Sequence, residues 1–492
     1  MALRDAYRIV TAPVDPGPVA YVIGRVLVVL AALMLVPAVA DRNNGNAVAF
    51  LESAALTGLV GVLMTLTTRN RLNRALDIRQ AIVLTLGIWV LVPAFGALPL
   101  MLGQPGLAPA DAYFEAVSGV TTTGSTVIVG LDGLPPGMNL WRGLLNWVGG
   151  LGIAFVAMIF LPVMRVGGMQ FFRTEGFDTF GKVLPRAADI AKALAQVYVI
   201  LTAVVVLTYL AIGMTPLDAA VNGMATVATG GFSSSDASFG KYPGAAEYLG
   251  ALFMLVAAMP YIRYVQLIQG NPRPLWHDPQ VGAFLRWFTV GLLGVTLWRV
   301  MTTSAPLEPT FREALFNLSS IMTGTGFFSG SFTTWEGPAL IVAFVMGFIG
   351  GCSGSSSGAL TVFRVQLTLA AIKSQILLMQ SPHRVAPIRY DGRKVAPDVV
   401  DALMLFVTGY VLLTGIITVL LSITGVDAYS ALIATWASIG NIGYAWGPLV
   451  APTGTLVDFP AAAKWLLVLA MLLGRLGLLT ILVVVIPRFW RP

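Results

Sequence analysis

Four short stretches combine glycine with hydroxyl or amide side chains inside otherwise apolar sequence. They are Val120-Thr121-Thr122-Thr123-Gly124-Ser125, Ala228-Thr229-Gly230-Gly231-Phe232, Thr323-Gly324-Thr325-Gly326-Phe327 and Gly440-Asn441-Ile442-Gly443-Tyr444. Backbone carbonyls aimed at one axis from such segments replace the hydration shell of a permeating cation. Glycine serves where φ is positive or where a side chain would block the path, and threonine adds a hydroxyl acceptor. Non-helical backbone at membrane depth is tolerated only where protein or a water-filled cavity satisfies its amides and carbonyls. One stretch of this kind reads as an ordinary turn between helices. Four at matched positions read as the four walls of one ion pathway.

The elements that position them follow from hydropathy and punctuation. Apolar segments long enough to span a bilayer fall at 19–40, 47–67, 79–101, 139–164, 190–212, 243–268, 280–301, 336–378, 398–424 and 459–486, about ten spans. The chain is therefore expected to be an all-α polytopic membrane protein. A leading helix pair (1–75) precedes four repeats of helix, short pore helix, glycine-bearing segment and helix, at 76–180, 181–275, 276–380 and 381–492. Each short helix begins near an acid (Asp111, Asp218, Glu313, Asp427), and three have a proline just upstream (Pro109, Pro216, Pro309). Thirteen residues separate acid and glycine in three repeats: Asp111 to Gly124, Asp218 to Gly231, Glu313 to Gly326. In the fourth the same offset ends at Gly440, and Gly443 lies a helical turn further on. Four pore helices converging in this sense turn their partially negative C-termini toward a central cavity, which favours a cation there.

Composition agrees with this reading. Of 492 residues, 57% are hydrophobic and 11% charged, and the mean hydropathy is +0.81, whereas soluble domains carry about 25% charged residues. The single Cys352 excludes an internal disulfide and a cysteine-based metal cluster, and His277 and His383 are too few for a histidine-ligated site unless carboxylates complete it. The net charge of +7 is topological rather than a signal for nucleic acid. Of the 30 Lys and Arg, 22 lie at the chain ends or in alternate connections, among them Arg69, Arg165, Lys182, Arg263, Arg364 and Lys394. The positive-inside rule then puts both termini in the cytoplasm and opens the four segments to the outside. The apolar run from about Val19 lacks a convincing cleavage site and reads as a retained helix rather than a signal peptide.

Two further features bear on conduction. The eighth span is too long for one crossing and is broken by Gly350-Gly351-Cys352-Ser353-Gly354-Ser355-Ser356-Ser357-Gly358. Such a run makes a poor helix in lipid but a serviceable loop lining an aqueous path, placed to block the pore until displaced. The alternative is a kinked helix packed through small residues. Arg475 lies mid-span, where a cation costs roughly 2.5–3.5 kcal/mol, so it should face the bundle interior. There it leans on filter carbonyls or on Glu115, stands as a positive barrier, or braces two repeats. Glu115 and Asp132, near the mouth, either concentrate cations or cap helices.

The chain resembles the Trk/Ktr/HKT superfamily of potassium transporters, and most of all its bacterial TrkH branch, over nearly its whole length. Phe114-Glu115, Ser118 and Thr121-Thr122-Thr123-Gly124 are similar to that family's first filter, Gly181-Lys182-Val183-Leu184-Pro185-Arg186 to its first cytoplasmic connection, Gly350 to Ser355 to its gating loop, and Gly474-Arg475-Leu476 to its last helix. The resemblance implies K⁺ uptake across the bacterial inner membrane, with K⁺ as transported ion and no cofactor in the chain. It implies filter residues Thr121, Thr122, Thr123, Gly124, Thr229, Gly230, Gly231, Gly324, Thr325, Gly326, Asn441, Ile442 and Gly443, and a gate at residues 350–358. Glycine in every wall implies K⁺ preference over Na⁺; a sodium or mixed conductor is the alternative. It also implies a homodimer in membrane lipid, bound to a cytoplasmic nucleotide-binding (TrkA-like) regulatory subunit through the basic loops 165–192 and 364–397. Two departures stand out: Ala359-Leu360-Thr361 replaces a stretch often holding more Gly and a Lys, and Gly477 stands where related sequences often have Glu.

Two enzyme motifs fail. Gly176 to Lys182 matches part of a phosphate-binding loop, but Val183 follows and no strand–loop–helix context surrounds it. Gly351-Cys352-Ser353-Gly354 is similar to the serine loop of intramembrane proteases, a remote hydrolase reading, but both histidines lie in basic loops away from it.

Overall fold

The computed structural model describes residues 14–71, 77–156, 187–303, 305–332, 335–381, 383 and 385–490. The expected connection 181–186 and most of the basic stretch 165–192 lie outside them. Among the described residues the fold is all-α, apart from a two-residue hairpin pairing Arg389–Tyr390 with Arg393–Lys394. Among the described residues seven helices are long and apolar enough to cross a membrane, or eight if a bent pair counts as one span. All ten expected apolar segments contain helix.

The leading pair is α1 (Gly17–Ala40) and α2 (Ala47–Thr68). They cross at two glycines: a Cβ added to Gly24 would lie 2.8 Å from the Gly61 carbonyl, and one added to Gly61 would lie 2.7 Å from that of Gly24. Small residues let backbones approach where lipid supplies no hydrophobic drive. The pair is tied to the first repeat by the fully buried Asp41, just past α1. One carboxylate oxygen accepts from Asn46 (2.9 Å) and the other from the N–H of Gly137 (2.7 Å). Gly137 lies in the first turn of a helix, whose free N–H groups and positive dipole end suit an anion.

The first repeat comprises α3 (Ile78–Gly96), the short α4 (Leu98–Leu102), the pore helix α5 (Pro109–Val120) and α6 (Pro136–Phe155). A capping box of Asp77 and Gln80 starts α3. The second contains α7 (Ala187–Ala211), the pore helix α8 (Pro216–Ala228), α9 (Ala245–Ala257) and α10 (Tyr261–Ile268), followed by the single turn α11 (Arg273–Trp276). The third contains α12 (Pro279–Thr303), the pore helix α13 (Leu307–Thr323), α14 (Pro338–Ile349) and α15 (Val362–Gln380). The fourth contains α16 (Pro397–Ile423), the pore helix α17 (Ala428–Ile439), α18 (Ala461–Leu476) and α19 (Leu478–Val485). The helix after each glycine-bearing segment packs on the next pore helix: α6 on α8, α9 on α13, and α18 back on α5. Phe344 of α14 stacks on Trp436 of α17 to complete the circuit.

Three expectations need correction. The segment 243–268 is not one straight span: α9 and α10 meet at 91°, because Pro260 ends the first helix and the loop after α14 takes up the freed backbone groups. The span 459–486 breaks at Gly477, whose φ is +77, so it is two helices, α18 and α19, rather than one. The stretch 364–397 is not a loop throughout, since its first half is the body of α15.

Replacing Asp41 by Ala leaves the buried Gly137 N–H without its acceptor, which costs about 1–3 kcal/mol. A lowered thermal-unfolding midpoint in detergent, with transport retained by the folded fraction, is the expected result.

Candidate ion pathway

All four pore helices end in the same way, as a Schellman closure. The N–H groups of Thr123, Gly230, Thr325 and Ile442 reach back five residues to the carbonyls of Ser118, Ala225, Ser320 and Ala437, each at 2.8 Å. The preceding residue takes a left-handed conformation in every case: Thr122 (φ +50), Thr229 (+49), Gly324 (+71) and Asn441 (+50). Two residues later the backbone turns left-handed again, at Gly124 (+88), Gly231 (+72), Gly326 (+90) and Gly443 (+80). The fourth wall is thereby placed: Gly443 matches the other three glycines, whereas Gly440 caps its helix at φ −79. The acid offset misled because Asp427 is the N-cap itself, while Asp111 and Asp218 lie three residues past theirs. Counted from the N-cap, the glycine is sixteen residues on in repeats one, two and four (Ala108, Thr215, Asp427). The third pore helix starts a turn earlier, so Glu313 does not open it.

The four segments close on each other as a ring. A Cβ on Gly124 would meet the carbonyl of Gly230 at 2.6 Å. On Gly231 it would overlap the carbonyl of Thr325, on Gly326 that of Ile442, and on Gly443 that of Thr123. Each glycine thus touches the residue before the glycine of the next wall, and the circuit returns to its start. Any side chain here collides with main chain rather than with a movable group. All four glycines line a single cavity on the side of the pore-helix N-termini.

Glu115 does not face that cavity as a free acid. It is fully buried and bonded at 2.9 Å to Arg142 of α6, and it also accepts from Thr126 and the Val127 N–H. Arg142 donates to the carbonyl of Ser233 at 2.8 Å, stacks over Phe232 and lines the mouth. The ion pair therefore joins the first wall to the second. Sequence reasoning missed Arg142, although an arginine within an apolar span was the available signal. Asp132 caps the loop after the second wall by accepting from Ser235 and the Asp236 N–H. Lys241 pairs with Asp218 at 3.1 Å and with Asp132 at 3.5 Å. Partial burial pulls its pKa down, but its bond to Asp218 and the two carboxylates carry it above the ordinary lysine value.

On the other side, the stretch 350–358 is a loop, non-helical as expected, and it sits directly beneath the ring. Its neck is fixed where α9 breaks: the Cys352 N–H donates to the Ala258 carbonyl (2.9 Å), and the Tyr261 N–H to the Gly354 carbonyl (3.0 Å). Ser356 donates to the Val227 carbonyl (3.1 Å) and accepts from Thr229 (3.1 Å), while Ser357 donates to the Thr323 carbonyl (2.6 Å). Gly350, Gly354, Ala359 and Thr361 all have positive φ. Arg475 joins this loop to the first wall, donating to the carbonyls of Thr121 (2.6 Å) and Ser356 (3.1 Å) and to the Thr122 hydroxyl. Its partners are first-wall and loop carbonyls, not Glu115, whose charge is met by Arg142. Gly474 lets α18 approach so closely, its Cα facing the Ile439 carbonyl. The Ser353 hydroxyl is shared with Thr361 (2.7 Å), and His277 is exposed with its ring on the Arg273 carbonyl; among the described residues no histidine or carboxylate is hydrogen-bonded to the serine.

The family model described as a cation transport protein, TrkH, matches residues 47–491. The chain belongs to this TrkH family. The Trk system potassium uptake protein TrkI of Halomonas elongata is 36% identical, over 96% of this chain and 97% of that protein. The Trk system potassium uptake protein TrkH of Escherichia coli K12 is 32% identical, over 96% and 98%. The crystal structure of the potassium transporter TrkH from Vibrio parahaemolyticus superposes with a TM-score of 0.89 at 31% identity, covering 97% of this chain and all of that one. A TrkH-family chain with these apolar helices is a multi-pass membrane protein of a transporter family.

The two candidate glycines of the fourth wall separate experimentally. Gly443→Ala forces a methyl into the Thr123 carbonyl and is expected to lower cation uptake by roughly tenfold or more, the equivalent of about 1.4 kcal/mol of misfit. Gly440→Ala meets the side-chain end of Ile442 at 2.8 Å and the Trp436 carbonyl at 3.0 Å, without the main-chain overlap found at Gly443, and should stay within about twofold of wild type. Isotope uptake by matched amounts of each variant checks both.

Proposed function

We propose that this protein carries K⁺ into the cell across the bacterial inner membrane, with both termini in the cytoplasm. The observation that carries this reading is the closed ring of four matched, left-handed glycine segments. K⁺ sheds water into carbonyls of Thr121, Thr122, Thr123 and Gly124, of Thr229, Gly230 and Gly231, of Gly324, Thr325 and Gly326, and of Asn441, Ile442 and Gly443. The ends of four pore helices beneath the ring favour a cation before it reaches the loop 350–358. That loop and Arg475 form the gate. The names of the relatives, all potassium uptake proteins, support K⁺ as cargo, and glycine in every wall favours it over Na⁺. The name "Trk system" supports a multi-component assembly. We take it to be a homodimer in lipid docked on a cytoplasmic nucleotide-binding subunit, with the basic residues of 364–397 as part of the docking face.

Rubidium uptake tests the reading in cells lacking their own K⁺ importers and supplied with the regulatory partner. Wild type should restore uptake. Gly124→Ser, which sets a side chain against the Gly230 carbonyl, should cut it by roughly tenfold and raise the share of Na⁺, about 1.4 kcal/mol of lost discrimination. Absence of rubidium uptake by wild type contradicts the K⁺ reading.

A further inference from the structure

The innermost carbonyls of the four walls are those of Thr121, Ala228, Thr323 and Gly440, one residue before each Schellman αL position. They stand at helix C-termini, where no following helical N–H is available to them. Among the described residues none accepts a main-chain bond from a loop. Two of the four nonetheless accept a side-chain hydrogen bond, a third is covered by close contact, and the residues responsible are Arg475 and members of the loop 350–358. Arg475 donates Nε–H to Thr121 at 2.6 Å, and Ser357 donates its hydroxyl to Thr323 at 2.6 Å. Gly358 lies against Gly440 so closely that a Cβ would overlap that carbonyl. Thr121 and Thr323 belong to the first and third walls, opposite each other in the order of the ring. The same Ser357 oxygen accepts from the Gly351 N–H at 3.0 Å, so one hydroxyl ties the neck of the loop to the filter.

We propose that these carbonyls form an inner cation site and that Ser357, with Arg475, fills it in the closed protein, so that cation binding and gate closure exclude each other. This rests on the reading of the ring as the K⁺ path. The Thr121 and Thr323 oxygens each have one of two lone pairs committed to a donor whose positive hydrogen competes with a metal ion, and a guanidinium beside the site adds like-charge repulsion. By linkage, a cation that binds only the open arrangement shifts the loop toward it. The transported ion is then itself an opener of its own gate, and Ser357 is the positioning residue that sets how much ion is needed.

The chain's one cysteine reports on this directly. Cys352 lies in the loop, is 1% exposed and lines the cavity under the filter, so wild-type protein takes a thiol reagent at a single place. Its modification rate is measured on the full chain in proteoliposomes with K⁺ or choline at equal ionic strength, and rubidium flux is followed in the same vesicles. The expected result is at least a threefold faster modification in K⁺. Ser357→Ala should be fast in both salts, with the K⁺ effect below twofold, and Ser357→Thr should restore the wild-type pattern. Equal rates in K⁺ and choline for wild type, while rubidium flux proceeds, overturn the inference and leave the K⁺ path intact. Absence of rubidium flux removes the K⁺ path and this site with it. The wild-type comparison stands even if Ser357→Ala does not fold.

Discussion

Backbone that leaves helical geometry inside a bilayer has no water to complete its hydrogen bonds, and four pore helices here end at that depth. The Schellman closure answers the constraint four times, each N–H five residues past its acceptor at the same distance. It imposes a left-handed residue at each helix end, which Gly324 and Asn441 accept readily. Thr122 and Thr229 accept it at a cost of about 1–2 kcal/mol each. Those two are also the residues whose hydroxyls are engaged from below, by Arg475 and Ser356. A second left-handed residue two positions on then presses each wall against the next, so the ring follows from how the helices stop.

The same constraint explains the broken helices around the ring. α9 stops at Pro260 and leaves the Ala258 carbonyl and the Tyr261 N–H without helical partners; the loop of the third repeat supplies Cys352 and Gly354. Two irregular segments thus satisfy each other, and neither is stable in lipid without its counterpart. Gly477 ends α18 two residues beyond Arg475. The loop 350–358 is thus held by α10 through Tyr261 and by α18 through Arg475, and both of these helices adjoin a break in an otherwise apolar span.

Much of this was legible in the sequence for a physical reason. Apolar length specifies spans, and polar glycine-bearing interruptions specify irregular backbone, so the helical segments and the four non-helical stretches among them could be read directly. What could not be read depends on cap position and on partners distant in sequence. The offset from Asp427 pointed to Gly440 because an acid at the N-cap and an acid three residues past it look alike in sequence. The Pro260 break was hidden by unbroken hydropathy on both sides of it. Glu115 seemed open to the mouth because its counter-charge, Arg142, lies twenty-seven residues away on another helix. Arg475 was rightly turned inward by the expense of a lone cation in lipid, but its acceptors are main-chain carbonyls, which no residue type reveals.

The central claim is that the four walls form one cation site and not four separate turns. Anomalous diffraction from crystals of the protein soaked in thallium(I) tests it most directly. The account predicts thallium density on the axis of the ring, shared by the carbonyls of Thr123, Gly230, Thr325 and Ile442. Thallium bound elsewhere, with that axis empty, would contradict it.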